Sequence, residues 1–528
     1  MIECDVRGEL DEVTAEEMAI IDENAEYLGV SRLLLMENAG RSVAEVIERK
    51  LGIRGKKIVI VAGRGNKGGD GFTAARHIAC RGGRPVVILV GKGEDIEGLE
   101  AKYNWEAIRR MDSTIRLIEL GDYIDLNKFK AELDGADVVV DALIGTGLRG
   151  TLREPLLSIV KHINSCKAFK VSIDIPTGIN PSTGEVHGEA VRADVTVTMH
   201  KPKKGLRGNE RYTGEVVIAN IGAPPEAEII VGPGDVRFTV RRRPPESKKG
   251  DWGKVLVVGG GFQYSGAPAL TALAALRGGC DLAVVIAPNS VSSVIRSFSP
   301  NLIVRDVDGY KITSRHVDEI VKVAEGFDCI AIGPGMGVDD EVFEAVRLIV
   351  ERLKGVDKPM VIDADGLKAL VGHLSVVEGA KAVLTPHVGE FKMLFKLDLR
   401  GSWIDKAHVV MSVAREHKVT LLVKAHPEDV ISDGVRVKVN MTGNPAMTVG
   451  GTGDILTGLT ASILSRKYPC LRAAAAAAFI CGAAGSLAAE ERGYHILATD
   501  LLDKIPEVMR RFEPWIAGTS KVLERRRD

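Results

Sequence analysis

Short runs of Val, Ile and Leu alternate along this chain with longer stretches in which apolar residues recur every three or four positions. "KKIVIVAG" at 56–63, "PVVILVG" at 85–91, "ADVVVDALIG" at 136–145 and "FKVSIDIPTG" at 169–178 read as strands that run into glycine or aspartate. Near-continuous apolar strands of this length are buried on both faces, and helices between them imply a parallel sheet wound on both sides. Ahead of them, residues 14–50 read as helix, opened by Thr14 and Glu17 in capping-box spacing. The alternation stops at "VRRRPPESKKGDWG", 240–253, which has no apolar period and reads as a solvated linker, a phosphate contact being the sharper alternative. It then restarts with "KVLVVGGG" at 254–261, "DLAVVIAP" at 281–288, "DCIAIGPGMG" at 328–337, "KPMVIDADGL" at 358–367 and "VTLLVKA" at 419–425. No fixed short repeat runs through the chain. The pattern predicts an α/β protein of two unlike domains.

Composition narrows the classes. With 528 residues there is chain enough for two cores, and a net charge of −1 lacks the basic excess of a general nucleic-acid binder. Seven cysteines without a Cys-x-x-Cys read as free thiols, and the acidic start "MIECDVRGELDEVTAEEM" has no apolar signal core. A cytoplasmic protein without a membrane partner is expected. The Ala- and Gly-rich stretch at 473–489 reads as a tightly packed helix. Glutamine occurs once, at Gln263, a hint of heat adaptation.

Three stretches carry candidate chemistry. "AGRGNKGGDG", 62–71, contains Gly63-x-Gly65-x-x-Gly68 between a strand and a helix, the context in which backbone N–H groups bind an anion. Gly69, Asp70 and Gly71 are foreign to the dehydrogenase fingerprint, and Lys67 stands among the glycines. Asp141 and Asp174 end two other strands. Parallel strands present their C-terminal ends along one sheet edge, so both aspartates fall beside the glycine loop and suggest a polar crevice; a strand-end aspartate alone would more simply cap the next turn. In the second half, "NPAMTVGGTGDILTGLTASIL", 444–464, places Gly450, Gly451 and Gly453 before Asp454 and an apolar helix. Such a helix start holds a transferring phosphate, and the carboxylate activates a hydroxyl. No P-loop lysine motif and no zinc spacing occurs.

These motifs, in this order, resemble known families. "GPGMG" at 333–337, "VIDADGL" at 361–367, "LTPHVGEF" at 384–391, "VGGTGDILTG" at 449–458 and "ATDLLDKIP" at 498–506 resemble the ADP- or ATP-dependent NAD(P)H-hydrate dehydratases, which are ribokinase-like α/β/α proteins; "YSGAPALTALAALRGGCDLAVV" at 264–285 matches them too. "LMENAG" at 35–40, the Gly63–Gly71 loop, "DALIGTGLRG" and "SIDIPTG" resemble the NAD(P)H-hydrate epimerases, whose sheet is Rossmann-like and doubly wound. The fused pair is similar to bifunctional NAD(P)H-hydrate repair enzymes over nearly the whole chain. The resemblance implies an epimerase domain at 1–234 and a dehydratase domain at 235–528. The first would interconvert R and S hydrates of NADH and NADPH. The second would phosphorylate the ring hydroxyl with ADP or ATP and Mg²⁺, then expel phosphate. A homo-oligomer is expected from relatives.

Roles follow position by position from that resemblance. Asn66, Lys67, Gly68, Gly69 and Asp70, with Gly145, Thr146, Gly147, Leu148, Arg149, Gly150 and Thr151, would hold the hydrate in the first domain, and Asp174 would contact it and handle protons. Ala267, Gly335, His387 and Asp454 would line the second pocket, Asp454 being the base. Lys424, Ala425, His426, Pro427 and Glu428, with Gly450, Gly451, Thr452 and Gly453, would meet the nucleotide. A K⁺ ion would sit by Asp141 and Thr177. This chain departs from the family in having Lys67 where a second Asn usually helps hold that ion, Leu156 where a tyrosine is usual, and Lys424-Ala425 in place of Lys-Gly. Lys67 is expected either to replace the ion as a tethered cation facing Asp141 or to be an exposed loop lysine. The competing readings are a small-molecule kinase with a vitamin-precursor substrate, a first domain reduced to a binding module, and, weakest, a dehydrogenase.

Overall fold

The computed structural model describes residues 12–121, 126–145, 147 and 150–513. The chain divides into two compact units, one ending at Ala227 and the other beginning at Glu228.

The first unit is built on seven strands: β1 (Lys57–Ala62), β2 (Arg84–Leu89), β3 (Arg116–Glu119), β4 (Val138–Ala142), β5 (Phe169–Ile173), β6 (Val195–Met199) and β7 (Glu215–Ala219). Their order is β3-β2-β1-β4-β5-β6-β7, and every pairing is parallel. Alternate residues of one strand feed two cores. Ile58 and Ile60 pack with the helices Arg32–Leu51 and Asn66–Cys80, whereas Val59 and Val61 pack with Phe129, Ile159 and Ile163 on the other face. Chain order reverses between β1 and β4, which opens a crevice beyond their C-terminal ends.

The second unit carries β8 (Lys254–Val258), β9 (Leu282–Pro288), β10 (Ile303–Val307), β11 (Cys329–Ile332), β12 (Met360–Ile362), β13 (Ala382–Leu384), β14 (Thr420–Val423), β15 (Asp429–Ser432) and β16 (Val437–Asn440). The order is β10-β9-β8-β11-β12-β13-β14-β15-β16, parallel as far as β14 and antiparallel from β14 to β16. Val255, Val257 and Ala331 face a core with helices Gly266–Arg277, Thr452–Leu464 and Cys470–Arg492; Leu256, Val258 and Ile330 face the opposite core. The switch point here lies between β8 and β11.

Several expectations need correction. Residues 14–50 are two helices, Ala15–Tyr27 and Arg32–Leu51, because Gly29 takes φ 97° and Ser31 caps the second. The capping box at Thr14 and Glu17 is present. The sequence reading missed β3, β6, β7, β10, β13, β15 and β16. Several of these carry charges at exposed positions, as in "EVVIA" and "IVRDV", and "AVL" is only three residues long. Residues 240–253 lie within the second unit, where Arg243 pairs with Asp281 at 2.7 Å and stacks on Trp252, and Arg241 stacks on Tyr468. Both guanidinium groups are thus engaged by the unit itself. Helix Cys470–Arg492 is long and apolar enough to cross a membrane by composition, but most of it is buried in the core of the second unit. Among the described residues six cysteines are free.

Helix Thr452–Leu464 owes its position to Gly458. A Cβ there would lie 2.1 Å from the Thr271 carbonyl oxygen and 2.8 Å from Ala274 Cβ. Neither the backbone nor the packed alanine can give way cheaply. Gly458→Ala is expected to cost about 1–3 kcal/mol in urea unfolding of the full chain, the usual cost of overpacking. Unchanged stability would contradict this close approach.

Candidate active sites

In the first unit, the glycine loop follows β1 and turns into helix Asn66–Cys80. Its glycines allow close packing. A Cβ on Gly63 would lie 2.1 Å from the Leu143 carbonyl oxygen, and one on Gly68 would lie 2.0 Å from the Gly63 carbonyl oxygen. The turn thereby presses against the end of β4, and Asn66 stands exposed at the helix start, where the first N–H groups have no partner in the helix itself.

Lys67 is not an exposed loop lysine. Its side chain is 5% exposed, and its Nζ donates to Asp141 Oδ2 at 2.9 Å, Ile175 O at 2.7 Å, Thr177 Oγ1 at 3.2 Å and Ile144 O at 3.3 Å. Burial pulls this ammonium below its ordinary pKa, and the Asp141 carboxylate opposes that pull. Asp141 also accepts from Ser172 Oγ, Thr177 N, Thr177 Oγ1 and Leu143 N. Gly145 lies over the Lys67 stem, 3.5 Å from its Cβ and Cδ when given a Cβ of its own. Gly147, Gly150 and Thr151 belong to the same loop; Thr146, Leu148 and Arg149 lie outside the described residues. Leu156 opens helix Leu156–Ser165 and packs with the apolar core, so it offers no ring to a ligand.

Asp174 follows β5 with φ 63°, a conformation rare for a residue with a side chain. Its Oδ1 accepts from Met199 N at 3.1 Å and from the Nζ of Lys203, a fully buried lysine that also donates to the Met199 and Lys201 carbonyls. Asp70, one turn into the glycine-loop helix, has its carboxyl pushed well above the usual range, first by burial and then by the charges of Asp174 and Asp22. Asp22 is itself raised to about 6, chiefly by burial. Sequence reading found Asp70 and Asp174 but missed Lys203 and Asp22. "MHKPKKG" holds several equivalent lysines, and Asp22 sits in an ordinary helix.

In the second unit, Gly451 takes φ 97° and starts helix Thr452–Leu464. The first backbone bond of that helix runs from Ile455 N to Gly451 O, so the N–H groups of Thr452, Gly453 and Asp454 precede it. Asp454 therefore stands in the first turn, at the positive end of the helix. Its carboxyl is nevertheless raised to about 7, by burial first and by the charge of Asp363 second, with Lys424 pulling the other way. Asp363, at the end of β12, is the member that sequence reading quoted in a motif without a role. It accepts from Lys424 Nζ at 2.8 Å on one oxygen and from Thr457 Oγ1 at 2.7 Å on the other. Burial alone would raise Asp363, but Lys424, Thr457 and Thr385 outweigh it and hold the carboxyl below its ordinary value. Burial likewise pulls Lys424 down, but Asp363, Glu390 and Asp454 outweigh it and leave the ammonium above its ordinary value. A Cβ on Gly453 would lie 3.3 Å from Lys424 Nζ, which places the ammonium against the glycine turn.

The remaining expected residues fall at the same strand ends. Gly335, φ 66°, follows β11; a Cβ on it would lie 3.4 Å from Ala267 Cβ and 2.8 Å from Tyr264. His387 caps helix Val388–Phe395, its Nδ1 accepting from Gly389 N and Glu390 N, which leaves Nε2 to carry the proton on a largely exposed ring. Its backbone bridges to Lys424. Ala425 N donates to Asp429, and His426-Pro427 and Glu428 form the loop between β14 and β15. Gly450 leads into the turn. Among the described residues no group of three His, Cys, Asp or Glu side chains is placed to hold a metal.

Two family models match. One described as NAD(P)H-hydrate dehydratase covers residues 255–507, and one described as the YjeF-related protein N-terminus covers residues 32–205. A protein of Pyrobaculum aerophilum named bifunctional NAD(P)H-hydrate repair enzyme is 47% identical over 95% of this chain and 99% of its own length. One of Hyperthermus butylicus with the same name is 44% identical over 94% of this chain and 92% of its own length. Among solved structures, the ADP/ATP-dependent NAD(P)H-hydrate dehydratase of Bacillus subtilis, co-crystallised with ATP and Mg²⁺, is 27% identical over 54% of this chain and 98% of its own, with a TM-score of 0.46. With both halves matched in order and the full-length relatives this close, the chain belongs to the bifunctional NAD(P)H-hydrate repair enzyme family.

Proposed function

We propose that this chain repairs hydrated NADH and NADPH: the first unit interconverts the R and S hydrates, and the second dehydrates the S form with ADP or ATP. The observation that carries the reading is Asp454, a carboxyl at about 7 in the first turn of a glycine-started helix, with the Lys424 ammonium beside it. The domain limits are proposed at 1–234 and 235–528, a few residues beyond the break between the compact units at Ala227 and Glu228.

In the second site, Ala267, Gly335 and His387 line the hydrate pocket, and Asp454 takes the proton of the ring hydroxyl. That oxygen bonds to the terminal phosphorus as the bond to the departing nucleotide breaks. The N–H groups from Gly450 to Gly453 and the Lys424 ammonium meet the charge that develops on the transferring group. Residues 424–428 flank the nucleotide. Asp363 anchors Lys424 and adds the negative charge that keeps Asp454 basic enough to serve near neutral pH. Phosphate then leaves with its bonding pair, driven by the ring nitrogen's lone pair, and loss of a proton from the neighbouring carbon restores the double bond. A magnesium ion would be carried mainly by nucleotide phosphates and water, where it neutralises phosphate charge.

In the first site, Asn66 to Asp70 and Gly145 to Thr151 hold the hydrate. Asp70 and Asp174 differ in their surroundings: burial drives the Asp70 carboxyl toward its neutral acid, and Asp174 is ion-paired with Lys203. That division suits one group to give a proton and the other to take one.

Absorbance at 340 nm is expected to return when the S hydrate is given with Mg²⁺ and ADP or ATP, and Asp454→Ala is expected to lower the rate by roughly 10²–10⁴-fold. No return with either nucleotide would reject the reading. Since the base works ionised, kcat should rise with pH through about 7 and level above it. Asp363→Asn removes a charge that raises Asp454, so it should move that rise to lower pH while lowering kcat. Lys424→Met removes a charge that lowers Asp454, so it should move the rise upward. A rise that both substitutions leave in place would refute the coupling.

A further inference from the structure

The oxygens around Lys67 Nζ are an unusual set for a lysine. They comprise one carboxylate, Asp141; two backbone carbonyls, Ile144 and Ile175; and one hydroxyl, Thr177. Surface lysines meet a carboxylate and water. A buried cluster of carbonyl, hydroxyl and carboxylate oxygens converging on one point is the donor set that a hard cation takes from a protein. These donors come from two strand ends, after β4 and after β5, and the cation joins them. Asp141 and Thr177 are the residues that the family resemblance assigns to a K⁺ ion.

That ion does not fit the residues present. Lys67 Nζ stands within 3.3 Å of all four oxygens, and its side chain and that of Asp141 are 5% and 1% exposed. A second cation could not share these oxygens with the ammonium.

We infer that Lys67 is a covalently tethered replacement for a monovalent cation, so that the first site is assembled without K⁺. The ammonium joins the glycine loop to the loops after β4 and β5, and its stem supports Gly145 at the start of the hydrate-binding segment. A bound ion orders such loops only in proportion to its concentration and affinity. A tethered cation orders them at any salt composition. The charge balance is the same in both cases, one positive charge against Asp141, which is why the exchange leaves the buried carboxylate paired.

The test needs no turnover, so its outcome is separate from that of the repair reading. Amide hydrogen exchange of the full-length protein is compared in KCl and in choline chloride at equal ionic strength. In the wild type, peptides containing Leu143, Ile144 and Thr177 are expected to be equally protected in both salts. In Lys67→Asn, which restores a neutral oxygen-bearing side chain, they should exchange roughly tenfold faster or more in choline chloride and regain protection in KCl. Lys67→Met, which supplies no oxygen, should regain less. Wild-type protection that depends on K⁺, or a Lys67→Asn variant indifferent to the salt, would overturn the inference. Should the variants fail to fold, wild-type crystals soaked in thallium(I) decide it. No anomalous peak among Asp141, Ile144, Ile175 and Thr177 is expected, and a peak there would overturn it.

Discussion

A carboxylate buried at the end of a parallel strand needs a cation beside it, and the candidate sites in both units are organised by that need. Three strand-end aspartates meet it with three lysines: Asp141 with Lys67, Asp174 with Lys203, and Asp363 with Lys424. In each pair the lysine comes from a different loop, so the ion pair also fixes how two loops meet. Removing either partner would leave a lone buried charge, which costs far more than a surface pair is worth. The charged partners are therefore part of the architecture as well as of the chemistry.

Against these paired carboxylates stand two that have no lysine of their own. Asp454 sits in the first turn of a helix that begins at a glycine, where the helix dipole alone would favour the anion, and Asp70 lies one turn into another such helix. Burial and the neighbouring paired aspartates override the dipole and raise both. Each unit thus holds two kinds of carboxyl, one paired with a lysine at a strand end and one raised by burial and poised to exchange a proton. The fold supplies this contrast because a topological switch point brings a glycine turn and a strand-end aspartate to one crevice.

Much of this was legible in the chain. Apolar runs located most of the strands buried on both faces, though not the Thr-containing β6 or the three-residue β13, and glycine or aspartate at strand ends located the sites. Edge strands such as Glu215–Ala219 were not legible, since half of each faces water and carries charge. Asp141, Asp174 and Asp454 were found because they directly follow strong signals. Lys203 and Asp363 were missed because an ion pair is a tertiary fact: nothing local tells Lys203 from Lys201 and Lys204, or Asp363 from Asp365. Lys67 stood out only because the loop resembled one that usually carries asparagine there. Neither its burial nor its four oxygen partners could be read from spacing.

If two sites on one chain serve one damaged cofactor, both hydrate epimers should be repaired by the same protein. The most direct measurement follows absorbance at 340 nm with a mixed R and S sample of hydrated NADH, Mg²⁺ and excess nucleotide, on a timescale where the hydrates do not interconvert unaided. The whole mixture is expected to be recovered by the wild-type chain, and Asp174→Asn is expected to recover the S fraction at the normal rate and then stall. Wild-type recovery that stops once the S fraction is spent would contradict this expectation.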